Sequence, residues 1–385
     1  MDIDLLLILA ATLLTGFIIG RMTSPKSASG SKHDASVNCS ESYIQGLNFL
    51  LANKPDKAIE LFVELIKVDH ETMETHLALG NLFRSRGEVD RAIKIHQNLI
   101  ARPNLDLGQR TMAIKELAED YLKAGLLDRA ENLYKELVQI NPKNTSAHKK
   151  LLELYTLEKS WHEALPTAQK LLELGEPDGK VIVTHCLCEL AEQNMQQGNL
   201  KHVQEHLSKA IKIDDRCIRA QLLLIDVYLR SDAVGKAEKM LQQLVKNSPQ
   251  YIELYLKPAR EIYLQRGSFD RYQQFLLDQY TLKANNAVAL ELLKSYQTAD
   301  RHEALIQFMP TALQHSASLA LYEFAFHYLL LHPQYLSELL PELSAGFDSI
   351  KTDRNPFVCQ HCGYGSQAMQ WHCPSCNSWS TIKPV

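Results

Sequence analysis

The sequence predicts an all-α protein: a superhelix of paired helices, with a transmembrane helix at its N-terminus and a small metal-binding ribbon at its C-terminus. Three observations carry that reading. Residues 5–20 form an uncharged apolar run, LLLILAATLLTGFIIG. A small residue recurs at a spacing near 34 through the middle of the chain. Four cysteines close the chain as Cys359-Gln-His-Cys362 and, after a ten-residue gap, Cys373-Pro-Ser-Cys376. The expected divisions are an anchor over 1–22, a polar linker over 23–40, seven to nine helical repeats over 41–345 and the ribbon over 346–385.

With Ile3, Asp4, Arg21 and Met22 included, the first helix reaches about 20 residues, or roughly 30 Å, enough to span a bilayer. The uncharged stretch itself is at the short end, so bilayer thinning or snorkelling of Arg21 is expected. Asp2 and Asp4 precede the run, whereas Arg21, Lys26 and Lys32 follow it. A cleaved secretory signal carries its positive charge first. The reversed order predicts a retained single-pass helix with its N-terminus outside and the body in the cytoplasm. The polar stretch Thr23 to Lys32 then leads into the repeats.

The repeat emerges on one small residue near the start of the second helix of each pair. Ala58, Ala92, Ala130, Ala164, Val203, Ala237, Tyr272 and Ala304 are separated by 34, 38, 34, 39, 34, 35 and 32 residues. A modal period of 34 is that of tetratricopeptide repeats. Twelve residues before the anchors stand Gly46, Gly80, Ala118 and Ala191; nine before stand Phe49, Phe83, Tyr121, Tyr155, Tyr228 and Tyr263. The small residues let paired helices approach closely, and the aromatics fill the space between neighbouring pairs. Gly87, Gly125, Gly198 and Gly267 relieve the turn inside a pair, and Pro142 and Pro249 end second helices. In the eighth repeat Tyr296 is one residue out of register with Ala304. The two long steps imply insertions at 103–108 and 176–180. No pair can bury its apolar face alone, so stacking makes one continuous core. The first helices of such an array line a concave surface suited to peptides and proteins. The carboxylate clamp of chaperone-binding repeats needs Lys, Asn and Arg there, and the corresponding residues are Tyr43, Leu47, Ala78, Met112 and Glu116.

Composition narrows the function. Besides the terminal four, Cys39, Cys186, Cys188 and Cys217 are scattered, a usage that suits a reducing compartment. Cys186 and Cys188 lie in an apolar helical stretch and read as small buried residues. A net charge of −4 and a pI near 6.4 give no global attraction to nucleic acid. No Walker loop, Gly-x-Ser-x-Gly, His-Glu-x-x-His or Gly-x-Gly-x-x-Gly is present. His70, His76, His96, His148 and His162 are spread over helix ends and faces and read as solvated or internally satisfied side chains. The chain is therefore expected not to be an enzyme.

Each terminal Cys-x-x-Cys pair forms a knuckle that aims two thiolates at one point, and two knuckles make a closed tetrahedral cage for one metal ion. Gly363 supplies the positive φ such a turn needs. Cys359, Cys362, Cys373 and Cys376 are the expected ligands; His361 and His372 flank them as alternatives. Zn2+ is favoured, and iron also loads a four-thiolate site. Three roles compete for the ribbon: a rubredoxin-like iron electron carrier, a nucleic-acid ribbon, and a structural or docking knob. Few cations lie nearby, only Lys351, Arg354 and Lys383 among the last 35 residues, which disfavours nucleic acid. Phe357, Tyr364, Trp371 and Trp379 are expected to pack around the cage and against the end of the solenoid.

The anchor Leu5 to Gly20, the repeats with Gly46, Gly80 and Ala130, and the ending Trp371-His-Cys-Pro-Ser-Cys-Asn-Ser-Trp379 together resemble the lipopolysaccharide assembly protein B family of Gram-negative bacteria. The resemblance covers essentially the whole chain, with departures in the long Ser-rich linker and the degraded repeats beyond residue 253. It implies a regulatory adaptor at the inner membrane that limits lipopolysaccharide synthesis. The implied partners are a membrane AAA+ metalloprotease, the lipid A pathway deacetylase delivered to it, and other inner-membrane lipopolysaccharide assembly proteins. Self-association is left open. The alternatives are a rubredoxin-like redox protein and a general scaffold for envelope assembly.

Overall fold

In the computed structural model, the described residues are 44–49, 51–52, 54–68, 73–315, 318–347 and 355–384. The expected anchor and linker, Tyr43, Cys39 and His70 lie outside them. No helix among the described residues is long and apolar enough to cross a membrane. The chain divides into two compact units, Met1–Ala147 and His148–Val385.

The described residues of the first unit are built from α1 (44–49), α2 (Pro55–Val68), α3 (Met73–Ser85), α4 (Val89–Ile100), α5 (Leu107–Lys123), α6 (Leu127–Ile140) and the first residues of α7 (Thr145–Leu157). The anchors Ala58, Ala92 and Ala130 are fully buried. The need for small residues opposite them is literal. A Cβ on Gly46 would sit 2.4 Å from the Phe62 ring, and one on Gly80 would sit 2.3 Å from His96 Nε2. A buried polar network crosses the same spot. His96 Nδ1 lies 2.5 Å from Asp120, both side chains are fully buried, and Arg84 bonds Asp120 at 2.8 Å and Glu116 at 2.6 Å. Burial opposes the charge on Arg84, but the two carboxylates outweigh it and raise the guanidinium above its ordinary range.

The second unit holds α7, α8 (Trp161–Glu173), α9 (Gly179–Gln196), α10 (Leu200–Ile213), α11 (Ile218–Arg230), α12 (Val234–Asn247), α13 (Ile252–Gln265), α14 (Phe269–Leu282), α15 (Asn286–Thr298), α16 (His302–His315), α17 (Leu319–Leu331), α18 (Leu336–Phe347) and the ribbon. One core cluster runs from Ile218 to Leu343, with Tyr255, Tyr272, Tyr322 and Tyr328 wholly inside it. The Tyr272 hydroxyl donates to Glu291 at 2.9 Å, and burial raises its pKa well above the usual phenol value.

Three expectations are refined. The eighth anchor is Leu305, not Ala304: Leu305 is fully buried whereas Ala304 is only half-buried. With Leu305 the register is restored, because Tyr296 then stands nine residues before it and Leu293, also fully buried, twelve. A ninth pair, α17 and α18, follows; its anchor Leu339 lies 34 residues on and is fully buried. The insertion sites are non-helical at 103–106 and 176–178, and the first helices that follow them are longer than their counterparts. There α5 has 17 residues and α9 has 18, against 13 for α3, α7 and α11.

Five residues before each anchor from Ala92 to Leu305 the backbone turns left-handed. Gly87, Gly125, Gly198 and Gly267 do so as expected, with φ from 59° to 81°. Lys159 (55°), Asp232 (57°) and Asp300 (56°) hold the same conformation with a side chain attached, at a steric cost of roughly 1–2 kcal/mol each.

Candidate metal centre

The ribbon is a three-stranded antiparallel sheet in the order β2-β1-β3, with β1 Phe357–Cys359, β2 Gly365–Ser366 and β3 Ile382–Pro384. Its two knuckles are built alike. Gly363 N–H donates to Cys359 O and Asn377 N–H to Cys373 O, each at 2.9 Å. Cys359 N–H donates to Tyr364 O at 2.8 Å and Cys373 N–H to Ser378 O at 2.9 Å. Both knuckles close through a left-handed residue, Gly363 at 76° and Asn377 at 54°. Glycine does this freely, and Asn is among the few side chains that tolerate it. Phe357 and Ile382 fill the space behind β1, with Tyr364 and Met369 against them.

The four sulfur atoms lie within 4.8 Å of one another. Cys359–Cys376 and Cys362–Cys373 are each 3.7 Å apart. A tetrahedral Zn2+ with sulfur ligands at about 2.3 Å has edges of about 3.8 Å, so these distances suit one ion. Four thiolates fit Zn2+ and iron alike. Among the described residues this is the one cluster of three or more His, Cys, Asp and Glu with ligand atoms in reach. His361 and His372 stand aside from it: His361 Nδ1 lies 3.1 Å from Ser378 Oγ, and His372 Nε2 donates to Asn377 O at 3.1 Å. The thiols are not equivalent. Ser378, by hydrogen bonding, pulls Cys376 down to about 5, and Thr381, 3.2 Å from Cys359 Sγ, holds that thiol below its ordinary range. Burial pushes Cys373 up to about 11. A bound cation supplies the positive charge that ionises this last thiol.

Among the described residues the ribbon meets α8, α9 and Tyr251 just before α13, and its Met369 and Trp371 pack on the core cluster of Ile218 to Leu343. Trp379 stacks on the His185 ring of α9 with centroids 4.8 Å apart and planes 19° apart, and meets Trp161 of α8 edge-on at 6.4 Å. His185 Nε2 lies 2.6 Å from Ser380 Oγ. Trp371 tilts against the same imidazole, and Lys383 stands over the Tyr251 ring. Burial, and behind it Arg219 and His372, pushes the His185 pKa down to about 3, so it docks as the neutral ring. Arg219 of α11 braces α9 from below through Glu189 and Glu192, both at 2.9 Å. A Cβ on Gly179 would lie 2.7 Å from the Leu172 backbone, so the first residue of α9 packs directly on α8. Val181, Ile182, Gln360, His361 and Trp379 line a crevice of about 500 Å³ where α9 meets the knuckles.

The sequence reading placed the ligand cysteines and the aromatic residues of the ribbon. It missed their receptors, Trp161, His185 and Tyr251. Cys186 and Cys188 are buried as expected, directly beside His185 in the chain. Of the histidines read as satisfied, His96 is bonded to Asp120 and His76 lies 2.8 Å from Arg102.

A family model described as "Rubredoxin metal binding domain" matches residues 357–384, and models described as "Tetratricopeptide repeat" match 75–111 and 115–178. The chain is 33% identical to lipopolysaccharide assembly protein B of Escherichia coli (strain K12), over 99% of this chain and 97% of that one. It is 31% identical to the Haemophilus influenzae protein of the same name, over 99% and 98%. A solved tetratricopeptide repeat protein from Parabacteroides merdae covers 67% of the chain at 17% identity with a TM-score of 0.36, and 98% of that structure is covered. Identity of this extent along both chains shows that the protein belongs to the lipopolysaccharide assembly protein B family.

Proposed function

We propose that this chain is a non-catalytic adaptor tethered to the bacterial inner membrane, its body in the cytoplasm, which regulates lipopolysaccharide biosynthesis by delivering the lipid A pathway deacetylase to a membrane AAA+ metalloprotease. The observation that supports this most is a family relationship that runs through the N-terminal apolar run, the repeats and the ribbon alike. The architecture is consistent with it. Helical pairs offer an extended protein-binding face, and Leu47 and Met112, at clamp positions, are exposed apolar side chains rather than the cations a carboxylate clamp requires.

In this reading the ribbon is structural. Its ion folds a segment too short for a core of its own, and the folded ribbon then covers part of the first-helix face. Zn2+ is the favoured ion; a rubredoxin-like electron carrier would instead hold iron and absorb visible light. The decisive experiment follows the cellular half-life of the deacetylase with the protein present and depleted. Depletion is expected to lengthen it. An unchanged half-life overturns the proteolytic-adaptor reading.

A further inference from the structure

Four residues of the ribbon face two ways. Between the second knuckle and β3 runs Ser378-Trp379-Ser380-Thr381. Its main chain is tied to both knuckles and to the strand that leads into the second. Ser378 O accepts from Cys373 N–H at 2.9 Å, Ser380 N–H donates to Trp371 O at 2.7 Å, and Thr381 O accepts from Gln360 N–H at 2.8 Å. The two middle side chains reach the solenoid instead. Trp379 stacks on His185 and meets Trp161, and Ser380 Oγ lies 2.6 Å from His185 Nε2. The next side chain returns to the cage, with Thr381 Oγ1 3.2 Å from Cys359 Sγ. Ser380, at the crossing, holds a left-handed backbone with φ 56°, a conformation that a serine keeps only where its surroundings enforce it.

The Thr381 hydroxyl has a choice of partners. It lies 3.2 Å from Cys359 Sγ and 3.4 Å from Ser378 O, and it has one proton to give. A thiol offers its own S–H to the hydroxyl, which leaves the hydroxyl proton for Ser378 O. A metal-bound thiolate has no proton and only accepts. The hydroxyl then turns to the sulfur and makes the stronger, charge-assisted bond. Removing an outer-shell bond of this type costs about 10- to 100-fold in metal affinity. The bond needs Thr381 in place, and Thr381 directly follows two residues that the solenoid holds.

We infer that residues 378–381 form a strap that couples the bound ion to the docked ribbon, with Thr381 as a positioning residue for Cys359. The solenoid holds the strap in the geometry that aims the Thr381 hydroxyl at the sulfur, and the loaded cage holds Trp379 and Ser380 against His185. The coupling is reciprocal: whatever factor docking adds to metal affinity, the ion adds to docking. His185, a solenoid residue and not a ligand, thus helps to set how tightly the ion is held. This rests on the four-thiolate cage and is independent of the delivery role proposed above.

The test measures Zn2+ affinity of the full chain in non-ionic detergent, by competition with a chromophoric chelator. Thr381→Val keeps the shape and drops the hydroxyl; it should weaken Zn2+ binding about 10- to 100-fold, and Thr381→Ser should retain wild-type affinity. His185→Ala should cost part of the same loss, about 3- to 30-fold, so the cage stays loaded at stoichiometric metal and only competition reveals the change. His185→Phe keeps a stacked ring and drops the Ser380 bond; it stands in should the Ala variant lose helicity. The double variant tests the route. Adding His185→Ala to Thr381→Val should change affinity less than about 2-fold, because the bond through which docking acts is already gone. Unchanged affinity in either single variant, or losses that multiply in full in the double variant, overturn the strap. A wild-type chain that binds neither Zn2+ nor iron overturns the cage reading as well.

Discussion

Replacing His185 by Ala tests the clasp between ribbon and solenoid from the solenoid side, leaving every ribbon residue in place. The imidazole is 1% exposed, stacked on Trp379 at 4.8 Å and 2.6 Å from Ser380 Oγ. The stack is worth about 0.5–1.5 kcal/mol beyond its buried area. The neutral hydrogen bond adds about 0.5–1.5 kcal/mol. Loss of the ring's own burial brings the total to about 2–4 kcal/mol, a fall of roughly 30- to 1,000-fold in the docked-to-released ratio. Hydrogen exchange of residues 357–384 and of α9, followed by mass spectrometry with metal content measured in parallel, reads that ratio. Expected are faster exchange on the exposed side of α9 and an intact, metal-loaded ribbon. Unchanged exchange at both surfaces would refute the claim that this contact holds the ribbon down.

Four further outcomes follow from the same geometry. Because the docked His185 pKa lies near 3 and a released ring returns toward 6.5, the released state binds the extra proton. Docking is therefore complete above about pH 6.5 and is lost as pH falls toward 3, by up to about 1.4 kcal/mol per unit; His185→Gln should flatten this dependence between pH 7.5 and 5.5, and a slope shared by both proteins excludes His185 as its source. Gly80→Ala should destabilise the protein by about 2–3 kcal/mol in chemical unfolding, since the new Cβ meets a His96 ring that Asp120 prevents from swinging away; a gain of about 1 kcal/mol, as helix propensity alone dictates, would contradict that. Lys159→Gly should raise stability by about 0.5–1 kcal/mol by removing a left-handed side chain, and a drop in melting temperature would show that the strain is compensated elsewhere. Cys373→Ser should cost the bound ion and make residues 357–384 protease-sensitive; full resistance after the substitution would deny the ion its folding role.

Much of this molecule is legible in its sequence because repeats state their rules many times. The anchors Ala58 to Ala237 sit at zero exposure wherever a small residue recurs. The rule fades where chemistry substitutes for size. Leu305 does the work of an Ala, so register slipped by one residue at Ala304. Lys159, Asp232 and Asp300 fill a glycine's turn position, and nothing in an isolated Lys or Asp announces a positive φ. The ninth pair lies inside the expected seven to nine but offers no anchor to align, because Leu339 is not small and α17, apolar but for Glu323 and His327, carries no clear amphipathic stripe. The cage is the opposite case: two Cys-x-x-Cys pairs ten residues apart leave little else to build. The ribbon's receptor was invisible, since His185 and Ser380 are separated by 195 residues and no local pattern encodes a contact of that span.

That span gives the clasp a place in time. A ribosome adding about 5–20 residues per second emits Ser380 roughly 10–40 s after His185, long after α9 can have folded against its neighbours. Through that interval Trp161, His185 and Tyr251 stand uncovered, and a ribbon that folds on its ion would prolong it until that ion is captured. With folding of the ribbon coupled to its ion, metal supply would set the moment at which a newborn chain changes from an open helical face to a covered one.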